Sequence, residues 1–239
     1  MTFLMYKVDH LMNKIGITFK FNKGSPLKIY NYKYLLLLTL SFFSFLVNAQ
    51  ATNFIEGKHY QTIQGAQTKQ KEITEFFSFY CPHCFRREPI ISELLQSIPS
   101  DVVFKKNHVN GMPGRKISIE DMLTKALLTA KILHLDDKMI PAIFNYIHLR
   151  HANFDNLKDI KNLFMLNGVE GNKFDKIFAS FSVNREFKTM NHKTEILRQQ
   201  GITSVPTLII NGKYKINDKN IKDMDEYKTL VNFLLTKKA

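Results

Sequence analysis

Tryptophan is absent from the 239 residues, cysteine occurs only twice, and no cluster of arginine and lysine interleaves with aromatics. Two cysteines cannot staple a disulfide-rich scaffold, and with scattered histidines they give zinc no second ligand pair at finger spacing. The formal charge is +13, but six lysines and one aspartate precede residue 52, leaving 28 basic against 20 acidic residues after it. That surplus is mostly lysine spread along the chain, which describes a solvated basic surface and excludes a nucleic-acid partner. The missing tryptophan does not limit the core, because 20 phenylalanines and a hydrophobic fraction of 44% suffice for one globular domain.

The longest apolar run, residues 34–47, is too short to span a bilayer comfortably. Lys28 and Lys33 precede it and small residues follow, the pattern of a secretory signal cut after Ala49 or Ala51. An uncleaved anchor is the rival reading. No cysteine stands directly after the run, so no lipid-modified N-terminus is expected. Residues 1–27 are long for a basic leader and read as an over-extended gene start. The chain therefore divides into 1–49, an N-terminal extension plus signal peptide, and a secreted remainder expected in the periplasm.

Both cysteines fall in one place, where the apolar stretch Phe76-Phe77-Ser78-Phe79-Tyr80 runs into Cys81-Pro82-His83-Cys84. Pro82 suits the first position of a helix, so Cys81 sits at a helix N-terminus and Cys84 one turn in. Free backbone N–H groups and the helix dipole stabilise negative charge there, and a protonated His83 would add to them. The pair thus reads as a redox site with Cys81 as the thiolate, able both to attack and to leave. A purely structural disulfide across so small a loop would restrain little of the unfolded chain.

The run Glu75-Phe76-Phe77-Ser78-Phe79-Tyr80-Cys81-Pro82-His83-Cys84 resembles the active-site strand and turn of the DsbA family, bacterial periplasmic dithiol oxidases of the thioredoxin superfamily. The likeness extends to Glu56-Gly57-Lys58-His59-Tyr60, to Lys106-Asn107-His108-Val109-Asn110 and to residues 201–214, and so covers nearly all of the chain after the signal. A depressed cysteine pKa and an oxidising potential are known properties of DsbA and are implied here by that resemblance. It also implies that Pro206 follows Val205 through a cis bond and sits against the cysteine pair. Read from the sequence alone, Pro206 is a proline opening a strand. Glu75 resembles the family's buried acid, which if buried could relay a proton to Cys84, with Lys106 its charged partner; an exposed strand end is the other reading of Glu75 and a solvated strand lysine that of Lys106.

The rest of the chain fits an α/β class, a thioredoxin-like fold with an inserted all-helical subdomain. Residues 50–113 hold strands at Tyr60 to Ile63, Lys71 to Phe79 and Val102 to Val109, with a helix after the cysteines that Pro89 should kink. Residues 114–193 carry only helical stripes. The first opens on a capping box of Ser118 and Asp121, and a later one runs through Phe174, Ile177, Phe178 and Phe181. Residues 194–239 resume the α/β pattern: strand Val205 to Ile210, an Asn211-Gly212 hairpin turn, Lys213 to Ile216, and a final helix.

Three functions stay open at this point. The first is a dithiol oxidase that passes a Cys81–Cys84 disulfide to reduced, unfolded secreted proteins. The second is a reductase or isomerase on the same fold, and the third a peptide-binding or chaperone module with an incidental disulfide. The resemblance further implies re-oxidation by a quinone-linked membrane partner of the DsbB type; no cofactor or metal is expected on the chain itself, and a monomer is expected.

Overall fold

A computed structural model describes residues 53–238; the signal segment and its cleavage sites lie outside the described residues. The strand and helix that carry the cysteines set the frame. Strand β1 (Tyr60–Thr62) is followed by β2 (Glu72–Phe77), helix α1 (Pro82–Ser97) and β3 (Val103–His108). Five helices follow: α2 (Ile117–Ile132), α3 (Asp136–His148), α4 (Leu157–Leu166), α5 (Gly171–Phe178) and α6 (Phe181–Gln199). Strands β4 (Thr207–Ile210) and β5 (Tyr214–Ile216) and helix α7 (Met224–Thr236) complete the chain.

The sheet order is β1-β5-β4-β2-β3, with β2 parallel to β3 and antiparallel to β4. Every residue of β2 is buried, as its position between two neighbours requires. Ile73 packs into a core beneath α1 and α7 with Leu94, Leu230 and Leu234, whereas Phe77 faces the core built by the inserted helices. That second core includes Phe144, Phe164 and Phe174, and it takes in Cys81 and Cys84 as well. Each such fully buried aromatic contributes roughly 1.5–3 kcal/mol by leaving water, so the insertion is a main source of stability around the cysteine turn.

The hairpin forms as its residues demand. Asn211 and Gly212 have φ of 52° and 64°, and Lys213 N–H closes the turn on the Ile210 carbonyl at 3.0 Å. Asn211 is buried for a further reason: its Oδ1 accepts from Glu72 N–H at 3.0 Å while Nδ2 donates to the last carbonyls of α7, Leu234 and Leu235. A Cβ on Gly212 would meet the Ala66 carbonyl at 3.3 Å, so glycine is required there on both counts.

Two local expectations fail. The capping box of Ser118 and Asp121 does not form: α2 begins at Ile117, after Lys116, with no side-chain cap. Its acids are used elsewhere, Asp121 accepting from Asn110 Nδ2 at 2.7 Å and buried Glu120 from the N–H groups of Gly111 and Met112 at 2.7 and 3.1 Å. They tie the loop after β3 to the insertion. Phe181 does not extend the α5 stripe inward either; it opens α6 behind the Ser180 cap and is exposed, while Val183 turns to the core. Helix α6 runs unbroken through residue 193 to Gln199, and α1 continues through Pro89.

Candidate active site

Strand β2 ends at Phe77, and the chain turns tightly before the helix. Cys81 N–H bonds the Ser78 carbonyl at 3.0 Å and Tyr80 N–H the Ser78 hydroxyl at 3.2 Å, which places Cys81 as the N-cap of α1 with Pro82 in the first turn. A cap residue's side chain faces the free N–H groups of the helix start. Here that side chain is sulfur: Cys84 N–H reaches Cys81 Sγ at 3.1 Å.

Both cysteines are free thiols, and both are buried. The Cys84 thiol donates to Cys81 sulfur, and this bond outweighs burial and, with the N–H groups of Cys84 and His83 and the charge of Arg86, lowers the Cys81 pKa to about 7. Cys84 is pushed strongly upward, first by burial, then by donating to Cys81 and by the negative charges of Cys81 and Glu75. One sulfur therefore ionises near neutral pH while its neighbour stays a thiol.

His83 is exposed, and its ring meets a basic neighbour. Arg86 Nη2 lies 3.0 Å from His83 Nδ1. A guanidinium can only donate, so His83 Nδ1 accepts this bond. The cation beside Cys81 is Arg86, one helical turn on, and His83 contributes through its backbone N–H.

Val205 and Pro206 come to the cysteines from the far side of the insertion. The Val205–Pro206 bond is cis, and the Val205 carbonyl lies 3.5 Å from Cys81 Sγ, an acceptor for Cys81 when that sulfur is protonated. Glu75 is fully buried on β2. Its Oε2 takes Lys106 Nζ at 2.6 Å, and the same ammonium reaches Glu88 Oε1 at 2.7 Å. Burial pulls the Lys106 pKa down, but the two carboxylates outweigh it and leave it raised; burial holds Glu88 above the usual carboxylate range. Glu75 Oε1 has no partner among the described residues.

The sequence reading did not pick out Glu88 and Arg86. Glu88 lies one turn beyond Cys84 and Arg86 one turn beyond His83, so helical spacing from the motif was the available signal. His148, from α3, gave no signal at all. Its Nε2 donates to the Phe79 carbonyl at 2.8 Å, and its ring stacks on Phe85 at 5.1 Å, fixing the turn before Cys81 and the residue after Cys84 against the insertion. Among the described residues no group of His, Cys, Asp and Glu could hold a metal ion.

Residues 72–234 match the model of the DSBA-like thioredoxin domain. The chain belongs to that family. The thiol:disulfide interchange protein DsbA of Haemophilus influenzae is 33% identical over 191 residues, covering 77% of this chain and 87% of that protein. DsbA of Dickeya dadantii is 30% identical over 214 residues, covering 85% and 99%. A solved structure of a cysteine-to-serine variant of Proteus mirabilis DsbA, in complex with a non-covalently bound peptide PWATCDS, superposes with a TM-score of 0.70 at 27% identity. It covers 78% of this chain and all of that one. The chain is thus a thiol:disulfide oxidoreductase with the thioredoxin-like α/β fold of the DsbA family, and the chaperone-only and isomerase readings are not favoured.

Proposed function

We propose that the protein is a periplasmic oxidase that gives its Cys81–Cys84 disulfide to reduced, unfolded secreted proteins. A substrate thiolate attacks Cys81 sulfur, the Cys81–Cys84 bond breaks, and its electron pair leaves on Cys84, which takes up a proton. A second substrate thiolate then attacks the substrate sulfur of the mixed disulfide and releases Cys81 as a thiolate. Two electrons and one proton have passed to the enzyme, the other substrate proton having gone to solvent, and a quinone-linked membrane oxidase of the DsbB type removes them.

The observation that carries this reading is the Cys84 N–H and thiol directed at Cys81 sulfur. They stabilise the thiolate, which exists only in the reduced enzyme, and a dithiol form so stabilised makes the disulfide form a strong oxidant. Cys84 is a poor thiolate where it sits, so its departure calls for a proton. Glu75, whose charge already acts on Cys84, relays that proton, with Lys106 and Glu88 connecting it outward. The Val205 carbonyl beside Cys81 offers an acceptor to the N–H of an extended substrate, as an added strand would use it. The peptide held by the P. mirabilis relative contains a cysteine and supports a substrate of this kind.

The test is the equilibrium of the Cys81–Cys84 pair against glutathione, with steady-state oxidation of a reduced dithiol peptide. An oxidase is reduced by glutathione at low ratios of reduced to oxidised glutathione and turns over the peptide. A pair that stays oxidised in a large excess of reduced glutathione would mark a reductase and overturn the proposal.

A further inference from the structure

Where β3 forms the edge of the sheet, a cleft of about 370 Å³ opens between it, the end of α2 and the first half of α6. None of its lining residues belongs to the cysteine turn or to the Val205–Pro206 loop. Its volume is at the small end of the range for clefts that hold metabolite-sized ligands.

The lining is two-sided. Leu128, Ile132, Val183 and Met190 supply apolar surface, and Lys105, Lys106, Lys131 and Lys193 supply four ammonium groups against one carboxylate, Glu186. Two of the lysines are already neutralised: Lys105 by Glu72 at 2.5 Å, and Lys106 by Glu75 and Glu88. The other two are not. Lys131 Nζ donates to the Lys106 backbone carbonyl at 3.2 Å, and neither it nor Lys193 forms an ion pair among the described residues. Glu186 is engaged, weakly, by Arg185 at 3.3 Å on the exposed side of α6. A half-buried ammonium without a carboxylate is unusual, because removal from water without a compensating charge is costly. Burial accordingly pulls the Lys131 pKa down, with the charges of Lys106 and Lys105 adding to it and those of Asp136 and Glu186 opposing.

We propose that this cleft binds an amphipathic monoanion, its carboxylate on Lys131 and Lys193 and its apolar body against Leu128, Ile132, Val183 and Met190. Lys131 and Lys193, without ion-pair partners among the described residues, set two ammonium groups beside that apolar surface, an arrangement a single carboxylate could bridge. A ligand carboxylate would complete the Lys131 site through a charge-assisted bond.

Calorimetric titration of the purified protein with decanoate, acetate and decyltrimethylammonium tests this, together with amide shift mapping. Decanoate should bind saturably at one site, with shifts centred on Leu128, Lys131, Val183 and Met190. Acetate lacks the apolar body and the ammonium compound carries the wrong charge, so neither should saturate. Lys131→Met and Lys193→Met should each weaken decanoate by about tenfold, the loss of one charge-assisted bond. Lys131→Gln keeps a donor for the Lys106 carbonyl and should stay folded while losing the same affinity. Equal binding of decyltrimethylammonium, unchanged affinity in Lys131→Gln and Lys193→Met, or shifts confined to the surface around Cys81 and Val205 would each overturn the proposal.

Discussion

Lys106 Nζ sits 2.6 Å from Glu75 Oε2, and the two residues stand directly opposite each other in the parallel register of β3 on β2. Glu75 is fully buried and Lys106 nearly so, and Glu88 of the cysteine helix is the ammonium's second partner. Removing the cation from such a cluster leaves buried negative charge uncompensated, which typically costs ~3–5 kcal/mol. Lys106→Met should therefore destabilise the protein by about that amount in urea unfolding. Adding Glu75→Gln to it should recover part of the loss. If the single and double variants unfold at the same urea concentration, the pair is not coupled.

The two sulfurs should react at very different rates. With Cys81 lowered to about 7 and Cys84 pushed well above its ordinary range, iodoacetamide at pH 7 should label Cys81 and spare Cys84 in the reduced protein. Replacing Cys84 by Ala removes the thiol that can return to Cys81 and expel the substrate, and mixed disulfides through Cys81 should then be recovered from extracts. Peptide mapping showing comparable labelling of both cysteines would contradict the division of roles.

Redox state and pH should be linked through these thiols. The Cys81 pKa is depressed from its ordinary 9.0 to about 7, so the unfolded chain binds more protons between those values and the reduced fold gains stability as pH rises through them. That gain is lost as pH falls through 7. Above 9.0 the sign reverses, because unfolded Cys84 ionises while folded Cys84 does not. The oxidised form has neither thiol, so the stability of reduced over oxidised protein should peak near pH 9. Each pH unit on the rising limb is worth at most ~1.4 kcal/mol. Denaturant titrations of both forms from pH 6 to about 10 would measure it, and a flat difference would remove the thiolate from the energetics.

Arg86 should matter more than the ring of His83. Arg86→Gln removes the cation that acts on Cys81, and it should raise the pH midpoint of Cys81 thiolate absorbance and make the protein a weaker oxidant. His83→Ala keeps the backbone N–H and should move the midpoint less. The ultraviolet absorbance of the thiolate, followed against pH, ranks the two, and a larger shift for His83→Ala would reverse this assignment.

His108 should make the fold acid-sensitive. It is fully buried, and because Thr124 donates its hydroxyl to the Glu120 carbonyl at 3.0 Å, His108 Nδ1 must donate to Thr124 Oγ1 at 2.7 Å. Nε2 has no partner among the described residues, and burial lowers the pKa from 6.5 to about 3. The unfolded chain thus takes up a proton below 6.5 that the folded one refuses. Stability from this group is full above 6.5 and falls by up to ~1.4 kcal/mol per unit as pH drops toward 3. His108→Leu should flatten that slope in urea titrations, and an unchanged slope would show that other groups set it.

What the sequence determined by itself is local. Proline after a cysteine at the end of an apolar strand dictates a helix start with sulfur as its cap, and Asn211-Gly212 dictates the hairpin, because both follow from φ preferences and N–H groups within a few residues. The periodicity of α2 to α6 likewise fixes five helices between β3 and β4. Tertiary structure decided the rest. Lys106 meets Glu75 only because β3 pairs with β2 in one register, and a lysine in a strand reads the same whether it is solvated or buried. Val205 meets Cys81 across 124 residues. His148 holds the Phe79 carbonyl only once α3 has packed against the cysteine turn. Ser118 and Asp121 matched a capping pattern, yet the loop after β3 had unpaired donors that Glu120 and Asp121 satisfied instead. A local pattern gives way wherever a nearby buried polar group would otherwise lack a partner, and which groups are buried is settled only by the packing of the whole chain.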